Sequence, residues 1–396
     1  MQSSDPIDLT IDLKDLLPQV IIDEWLPNEN ESILFLFQGF DRYPPHPTHY
    51  ILPSNFQSVL HQTPIQQFDY EVLLSIPPPA LLDVPKAYQD AITKSKFPIC
   101  SVTLQPQLSN PVTLPVWIFN YWKEIGRVVE IRKQWKVSLT WIRGYSASPL
   151  ALELSQSFLL GLSSFSWSHG AAYSKDITPL LLDSSMESFL NSFHIDHVIK
   201  QTKTQYEVQH GPDQTNHHIF ATVDHFNAIT EFYGPVHKRK EGHLWNILMM
   251  IENKIVTGEV DSFGGVMHLP LHWVAVVINF QKQEVLYGDS LGQEMPKRKR
   301  QTYERWISHL AKRSSKPTLI GKMSFGQLPI GQQLDGASCG IFALNSIAHY
   351  YLQTPLLPSN PIVLACRRME IALGIISTMT VWIFYSAQDD IAHIIL

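Results

Sequence analysis

The chain has 396 residues, 44% of them hydrophobic and 17% charged, so it is long enough for more than one globular unit with a sizeable apolar core. This composition excludes a disordered tail protein, and the formal net charge of -6 excludes the global basicity typical of nucleic-acid-binding chains. Its three cysteines, Cys100, Cys339 and Cys366, are odd in number and widely spaced. That pattern fits neither a disulfide framework nor a zinc site, and it favours a reducing compartment.

The N-terminal region, residues 1–110, is rich in proline and loop signals and carries no recognisable chemistry. Its first residues are acidic and lack the basic-then-apolar order of a signal peptide, so we expect an intracellular protein. Ile7–Thr10 and Val20–Asp23 resemble SUMO-interacting motifs, which are short aliphatic strands that add to an exposed sheet edge. The alternative is that both are ordinary strand or helix residues.

A tryptophan-rich segment, residues 111–150, follows. Its apolar residues recur at steps of three and four after Pro115, which predicts an amphipathic helix, broken near Gly126 and ended by Gly144. Lysine and arginine lie between the aromatic residues, as in some nucleic-acid-binding surfaces. A core-facing aromatic stripe beneath a solvated basic face is the favoured interpretation.

The clearest local pattern beyond residue 160 is a predicted β-hairpin. Its arms, residues 273–280 and 284–290, are rich in β-branched and aromatic side chains, and a polar turn joins them. His272 opens the first arm and Asp289 ends the second, so antiparallel pairing brings the two side chains together. A carboxylate in that place can hold the imidazole in the tautomer that a nucleophile requires.

Cys339 opens an apolar, helix-like run after a polar loop that contains Gly336. Unpaired N–H groups and the positive end of the dipole lie at a helix N-terminus, which biases a cysteine there towards the thiolate that a cysteine peptidase needs. The alternative is a small buried thiol. Gln333, six positions earlier, has an amide that can donate to an oxyanion together with the Cys339 N–H. His272, Asp289, Gln333 and Cys339 form the predicted catalytic set.

These blocks together resemble one family in order and spacing. His272-Trp273, the stretch Tyr287–Gly292, and Gln333 with Cys339–Phe342 resemble the ubiquitin-like protein (SUMO) proteases, cysteine peptidases of the adenovirus-protease-like clan. That family's opening motif, tryptophan-leucine-any-aspartate before an apolar helix, is similar to residues 180–190, and its closing helix is similar to residues 367–371. Residues 160–396 are therefore predicted to be the catalytic domain.

The resemblance implies an α+β, papain-like (adenain-type) cysteine protease fold with a central mixed or antiparallel sheet, preceded here by the Trp-rich helical region. It implies cleavage of SUMO or another ubiquitin-like modifier after a C-terminal Gly-Gly, through a Cys339 thioester. By the same resemblance, Trp273, Leu180, Asp183 and Gly340 bind substrate, with Trp273 at a narrow tunnel that only glycine fits. We expect no metal or organic cofactor, no obligate nucleic acid and no membrane.

Three positions depart from the family pattern. Leu180 stands where the family has tryptophan, Asp335 where asparagine is usual, and Ser338 where an aspartate commonly precedes the cysteine. None of these changes removes a catalytic group, so they bear on which modifier is cut. A Trp-rich helix followed by such a domain also resembles proteins encoded by fungal mobile elements.

Other functions compete with this interpretation. A catalytically weak modifier-binding module and an acyltransferase belong to the same clan, since related His-Asp/Glu-Gln-Cys enzymes move acetyl groups. A more distant alternative is a GDSL-type serine esterase that uses Ser290, with Asp390 to His393 as its closing Asp-x-x-His. Its oxyanion block is missing from the sequence, and its nucleophile block stands too late in the chain.

The histidines give weaker signals. His268 and His272 are four apart, but Pro270 lies between them and no glutamate accompanies them, so a zinc peptidase is not supported. A polar insertion holds four further histidines that we predict to be loop residues and not metal ligands: His210, His217, His218 and His225.

Two stretches bear on location. The basic run Lys297–Arg300 is a nuclear import signal, a solvated helix start or a docking patch for an acidic partner, so we expect a nuclear or cytoplasmic protein. The apolar residues 371–385 are fewer than the roughly twenty that a membrane span needs, and a buried helix or strand is predicted there.

Overall fold

The computed structural model describes residues 19–28, 31–38, 60–61, 101–104, 112–115, 117–163, 165, 177–185, 188–235, 241–314 and 323–394. They belong to two compact units, Met1–Val137 with Leu162–Ser174, and Ser138–Gly161 with Lys175–Leu396. Each unit is described by itself. The boundaries near residues 110, 150 and 160 stay a prediction.

The first unit contains two short helices and a small sheet. Helix α1 spans Gln19–Trp25 and α2 spans Ile33–Gln38, while strands β1 (Leu60–His61), β2 (Ser101–Leu104) and β3 (Val112–Pro115) pair antiparallel in that order. Val20–Asp23 are ordinary helix residues and not an extended SUMO-interacting motif, because they lie in α1 and Ile21 is buried. Ile7–Thr10 lies outside the described residues.

The Trp-rich segment forms the long helix α3, Ile118–Tyr145, so the segment is helical as its apolar spacing indicates. The predicted break near Gly126 is wrong, because the helix runs unbroken through it and ends one residue after Gly144. Lys133, Lys136 and Arg143 are exposed, and the aromatic stripe is packing surface. Its buried side chains recur at helical spacing: Ile118, Tyr121, Trp122, Ile125, Val128, Trp135, Leu139 and Ile142.

The second unit is an α+β domain around a five-stranded sheet. Its strands are β4 (His218–Ala221), β5 (Ser262–Leu269), β6 (His272–Asn279), β7 (Glu284–Gly288) and β8 (Ser324–Gln327), in the order β4-β5-β6-β7-β8. The outer pairs β4–β5 and β7–β8 are parallel and the inner pairs are antiparallel. The predicted α+β class with a mixed central sheet is confirmed.

Nine helices are described in or entering this unit besides α3. They are α4 (Pro149–Leu162), α5 (Ile177–Ser184), α6 (Ser192–His210), α7 (Pro212–Asn216), α8 (Val223–Tyr233), α9 (His243–Val256), α10 (Lys297–Arg313), α11 (Cys339–Leu352) and α12 (Pro361–Ile394). Helix α12 confirms the helix predicted for the late apolar segment. Across the described residues, no helix combines the length and apolar character that crossing a bilayer requires.

The two faces of the sheet are covered by different helices. Val274, Val276 and Ile278 of β6 join one apolar core with side chains of α8, α9 and α10. Helix α11 packs against β5 and β6. Its Tyr351 approaches so closely that a Cβ on Gly264 would lie 2.6 Å from the tyrosine hydroxyl oxygen. The sheet is therefore buried on both sides, and its strand ends are free to build a site.

The hairpin of β6 and β7 matches its prediction closely. Asn279 pairs with Glu284 at the turn and Ala275 pairs with Gly288 at the open end, in antiparallel register. The turn is held by the Asn279 carbonyl oxygen Oδ1, which accepts from the Lys282 N–H at 2.8 Å. This register fixes which residues project from the open end, where the chain enters β6 and leaves β7.

The prediction that four histidines lie in loops is wrong for most of them. His218 lies in β4 and His210 ends α6, where its ring stacks on Tyr206 with 4.2 Å between centroids. His225 lies in α8, and its Nδ1 accepts from the Thr222 N–H at 3.1 Å as part of a helix cap. His217 caps the end of α7. Local packing and capping use these rings.

The basic run forms the first turn of α10 and is only partly a solvated surface. Lys299 Nζ donates to the Thr230 hydroxyl at 3.0 Å, and burial lowers the pKa of Lys299. Arg300 lies over the ring of Phe325, 4.4 Å from its centroid, and pairs with Glu304. Both side chains therefore help to hold α10 in place, and a role in nuclear import stays a prediction.

Candidate active site

Three boundaries of secondary structure carry the predicted catalytic residues. His272 is the first residue of β6, Asp289 directly follows β7, and Cys339 is the first residue of α11. Because α11 packs on β6 and the hairpin pairs β6 with β7, these three boundaries belong to one packed assembly. The strands, the helix and the site are fixed by the same apolar contacts.

The His272 and Asp289 side chains are in direct contact. Imidazole Nε2 lies 2.9 Å from Asp289 Oδ1, and the carboxylate is almost fully buried. The same Oδ1 accepts from the Leu291 N–H at 2.8 Å, while Oδ2 accepts from the Tyr287 hydroxyl at 3.3 Å. With Nε2 held by the carboxylate, Nδ1 is the ring nitrogen left for proton transfer.

The Cys339 thiol lies beside the backbone of the same strand. Burial raises the pKa of Cys339, whereas hydrogen bonds from the N–H groups of Trp273, Gly340 and Cys339 itself lower it, and the Asp335 carboxylate raises it further. The predicted bias towards thiolate is wrong in its net direction, because the side chain is only 1% exposed. The Trp273 N–H contact places the thiol next to the residue that follows His272.

Gln333 lies in a small polar network under the nucleophile loop. Its carbonyl oxygen Oε1 accepts from the Ser290 hydroxyl at 3.0 Å. Its amide Nε2 donates to the Asp335 backbone oxygen at 2.7 Å, with Asp335 Oδ1 at 3.2 Å. These partners fix the amide orientation and occupy its donors within the loop, so a role at the oxyanion stays a prediction.

Asp335 stabilises the loop that precedes Cys339 by accepting hydrogen bonds from it. Its Oδ1 accepts from the N–H groups of Ala337 and Ser338, both at 2.8 Å. Burial acts to raise the pKa of Asp335, but these hydrogen bonds and that of Gln333 outweigh it and leave the pKa lowered. The departure from the family's asparagine therefore keeps an acceptor in place and adds a negative charge.

The structure brings two of the predicted substrate-binding residues together. Trp273 is 5% exposed, and its indole N–H donates to the Leu190 carbonyl oxygen at 2.7 Å. A Cβ on Gly340 would lie 3.3 Å from Trp273 Cδ1 and 3.3 Å from Ile195 Cδ1. Glycine is therefore needed at the start of α11, where the tryptophan packs.

Asp183 and Leu180 lie further along the segment predicted to open the domain. Burial raises the pKa of Asp183, although a hydrogen bond from Asn191, 3.4 Å away, and the charge of Arg368 oppose it. Leu180 lies in α5, and its side chain is outside the described residues. Trp273 instead contacts Leu190, whose neighbour Phe189 is 45% exposed.

Three residues near this site were given no role by the sequence patterns: Phe189, Tyr287 and Arg368. The buried guanidinium of Arg368 donates to the Ser188 carbonyl oxygen at 2.7 Å and to the Ala337 carbonyl oxygen at 3.2 Å. It thereby joins the segment before α6 to the nucleophile loop. A buried arginine in an apolar helix is a sequence signal that marks a partner-holding role.

The structure offers little to the competing chemistries. Ser290, the esterase nucleophile of the alternative interpretation, is buried, and its hydroxyl hydrogen is used on Gln333. The side chains of Asp390 and His393 lie outside the described residues. Within the part of the chain that the structure describes, no group of three or more histidine, cysteine, aspartate or glutamate side chains is arranged to hold a metal ion.

Comparison with known proteins gives one family match. Residues 259–369, which include all four predicted catalytic residues, match the family described as "Ulp1 protease family, C-terminal catalytic domain". No curated protein matches the chain.

Solved structures give weaker likenesses. The yeast Ulp1 protease domain in complex with Smt3, the yeast ortholog of SUMO, is 17% identical, with a TM-score of 0.37, over 51% of this chain and 82% of that one. The SUMO protease Ulp1 with its cysteine oxidised to a sulfenic acid is 16% identical, with a TM-score of 0.41, over 58% and 93%. The Chlamydia trachomatis effector Cdu1 bound to ubiquitin is 13% identical, with a TM-score of 0.26, over 50% and 94%. At these values the likenesses carry no argument.

A histidine is held by a buried carboxylate, and the next residue of its strand, Trp273, donates its N–H to the thiol of a cysteine that opens a helix. This is the arrangement expected of a cysteine protease. The family match is consistent with that geometry. Residues 259–369 are similar to the catalytic domain of the Ulp1 protease family, and this similarity identifies a cysteine protease domain in the chain.

Proposed function

We propose that the chain hydrolyses the bond that follows the C-terminal Gly-Gly of SUMO or another ubiquitin-like modifier. The observation that carries the proposal is the His272 Nε2 contact with Asp289 at 2.9 Å, next to a Cys339 thiol that receives the Trp273 N–H. The match of residues 259–369 to the Ulp1 protease family supports the modifier class. The bond cleaved is the amide of a precursor or the isopeptide of a conjugate.

In the acylation step, His272 Nδ1 takes the proton of the Cys339 thiol as the sulfur attacks the carbonyl carbon of the terminal glycine. A C–S bond forms and the carbonyl oxygen becomes an oxyanion. His272, held by Asp289, then gives the proton to the leaving amine as the C–N bond breaks. The products of this step are a thioester and the free amine.

In the deacylation step, water replaces the amine. His272 Nδ1 takes a proton from the water as its oxygen attacks the thioester carbon, and the thiol leaves with that proton. The Cys339 N–H, at the first turn of α11, donates to the oxyanion in both steps. Gln333 is the second proposed donor, and it acts after its amide exchanges a loop partner for the oxyanion.

The requirement for glycine follows from the packing around Trp273. Gly340 lies against the indole ring, and the proposed path of the modifier tail runs where backbone and ring are close. We propose that Phe189, whose neighbour Leu190 binds the indole N–H, forms the other wall of this passage. Leu180 and Asp183, which the resemblance also implies to bind substrate, stay predictions, and in this proposal Asp183 holds the segment through Asn191 and does not touch the tail.

The test is covalent labelling with SUMO and with ubiquitin that carry a C-terminal vinyl sulfone after the Gly-Gly. The whole chain is expected to form a thioether adduct with at least one of them, and Cys339→Ala is expected to abolish it. Cys366→Ala, which removes the other buried cysteine described, is the matched control and keeps labelling. Labelling that persists in Cys339→Ala but is lost in Ser290→Ala refutes the thiol mechanism. No labelling with any modifier favours the binding module or the acyltransferase.

A further inference from the structure

Leu271 combines a positive backbone φ angle with an exposed apolar side chain. It lies with Pro270 in the two-residue turn that joins β5 to β6, since Leu269 pairs with His272. Its φ is 58°, and its side chain is 84% exposed. Proline at the first position and a positive φ at the second describe a turn in which glycine is strongly preferred.

A leucine in this turn carries two costs that the fold does not explain. A side chain at positive φ is strained, and an apolar side chain in solvent loses the stabilisation that burial gives. The two other non-glycine residues described with positive φ are Gln283 and Gln353, which are polar and suit exposed turns. Backbone strain at a residue whose side chain makes no stabilising core contact is typical of functional sites.

The turn adjoins the proton donor of the proposed reaction. Leu271 directly precedes His272, whose imidazole protonates the departing amine. In the proposed function the modifier tail is bound by Trp273 and Gly340, so the leaving amine is left to other residues near His272. Leu271 offers an exposed apolar side chain there for the amine-bearing part of the substrate.

A second exposed leucine lies by the same carboxylate. Leu291 is 50% exposed, and its N–H donates to Asp289 Oδ1, the oxygen that also holds His272. A cavity of about 730 Å³ adjoins this point, and its lining includes Asp289, Leu291, Arg300 and Phe325. The cavity gives room for a polypeptide segment next to the His-Asp pair.

We propose that Leu271, with Leu291, binds an apolar side chain on the amine side of the scissile bond and so selects the leaving group. This inference rests on the proposed function and names the substrate feature that the site prefers there. Leu271 is a specificity-determining residue that takes no part in proton transfer. The strained turn is kept because the leucine contacts substrate.

The experiment uses the whole chain and SUMO precursors that differ in the first residue after the Gly-Gly, leucine or serine. The wild type is expected to cleave the leucine precursor with a kcat/KM about tenfold higher, the range typical of one apolar contact. Leu271→Gly is expected to abolish this preference by lowering kcat/KM for the leucine precursor. Its kcat/KM for the serine precursor is expected to stay within about twofold of the wild-type value. Leu291→Ala is expected to reduce the preference about threefold.

The matched control is Gln283→Gly, which removes a side chain at the same backbone angle in the turn between β6 and β7. Both glycine variants are expected to keep the wild-type Tm or raise it, because each relieves a positive φ. Gln283→Gly is expected to leave the leucine preference unchanged.

Labelling with the SUMO vinyl sulfone separates this inference from the proposed function, because the probe has no leaving group. Leu271→Gly is expected to label at the wild-type rate. If the wild type labels but shows no preference for the leucine precursor, or if Leu271→Gly keeps that preference, the inference is overturned and the proposed function stands. If Leu271→Gly is labelled more slowly than the wild type, Leu271 contacts the modifier and not the leaving group, and the inference is overturned. If the wild type neither labels nor cleaves, both proposals fail.

Discussion

The contact between His272 and Asp289 makes a specific prediction about replacing the aspartate. In Asp289→Asn, the amide oxygen can stay at the Oδ1 position, where it accepts from His272 and from the Leu291 N–H. The new NH₂ then lies at the Oδ2 position, facing the Tyr287 hydroxyl, 3.3 Å away. A tyrosine hydroxyl donates and accepts, so it can turn and take this hydrogen.

The expected loss is modest for this reason. A hydrogen bond to a charged group contributes about 1.5–3 kcal/mol and a neutral one about 0.5–1.5, so removing the charge costs about 1–1.5 kcal/mol. That difference is roughly tenfold in kcat/KM. Asp289→Ala loses the whole interaction and leaves the imidazole untethered, for which about 10²–10³ is expected. An asparagine that forces the wrong tautomer, as in serine protease triads, costs about 10⁴.

The assay is kcat/KM on one SUMO precursor for Asp289→Asn, Asp289→Ala, Tyr287→Phe and the double variant Asp289→Asn/Tyr287→Phe. Tyr287→Phe alone is expected to cost no more than about threefold, since it removes one long hydrogen bond. In the double variant the amide loses the partner that fixes its orientation, and activity is expected to fall towards that of Asp289→Ala. The reasoning is refuted if Asp289→Asn is as inactive as Asp289→Ala, or if Tyr287→Phe leaves the asparagine variant unaffected.

Three further outcomes are expected. Asp335→Asn keeps an acceptor for the loop and removes a charge that raises the pKa of Cys339. The pKa of Cys339 is therefore expected to fall, and the pH midpoint of its alkylation by iodoacetamide is expected to move to lower pH. An unchanged or higher midpoint contradicts this. Gly340→Ala is expected to lower kcat/KM about tenfold by crowding Trp273, whereas Gly336→Ala, with no atom within 4 Å of its added Cβ, leaves activity unchanged. Glu252→Ala removes a fully buried carboxylate that accepts from the Trp306 indole N–H and from Arg313. It is expected to lower the free energy of unfolding in urea by about 3–5 kcal/mol, because Arg313 loses its buried partner. A loss under about 1 kcal/mol contradicts a structural role for Glu252.

The hairpin and the nucleophile helix were predictable because their signals are local. Alternating β-branched residues specify the arms of β6 and β7, and the register of a short hairpin is set by its turn. Once that register is known, His272 and Asp289 meet without further information. A cysteine before an apolar helical run is equally visible in the sequence.

The wall opposite Trp273 was not predictable in the same way. Its indole N–H binds the carbonyl oxygen of Leu190, 83 positions away in the chain, and no local pattern reports such a contact. The opening motif of the resembled family was aligned with residues 180–190 by similarity, which put Leu180 at the position of the family's tryptophan. The contact in the structure moves attention to Phe189.

Of the four histidines predicted to lie in loops, His225 was misjudged because it replaces the residue type that marks a helix start. A capping box normally has glutamate or glutamine three residues after the cap. Here His194 fills that position for Asn191, and His225 fills it for Thr222. Both rings serve α-helix ends, which a search for acidic or amide side chains overlooks.

The pKa of the nucleophile could not be read from the sequence, because it depends on competing effects of similar size. The helix start supplies N–H groups that favour the thiolate, but burial and the Asp335 charge favour the thiol. The net effect is a raised pKa of Cys339, so the site favours a mechanism in which the thiol loses its proton as the sulfur attacks the carbonyl carbon. Asp335, the loop residue that departs from the pattern of the resembled family, adds to this effect through its charge, while its hydrogen bonds to Ala337 and Ser338 hold the loop that presents the thiol.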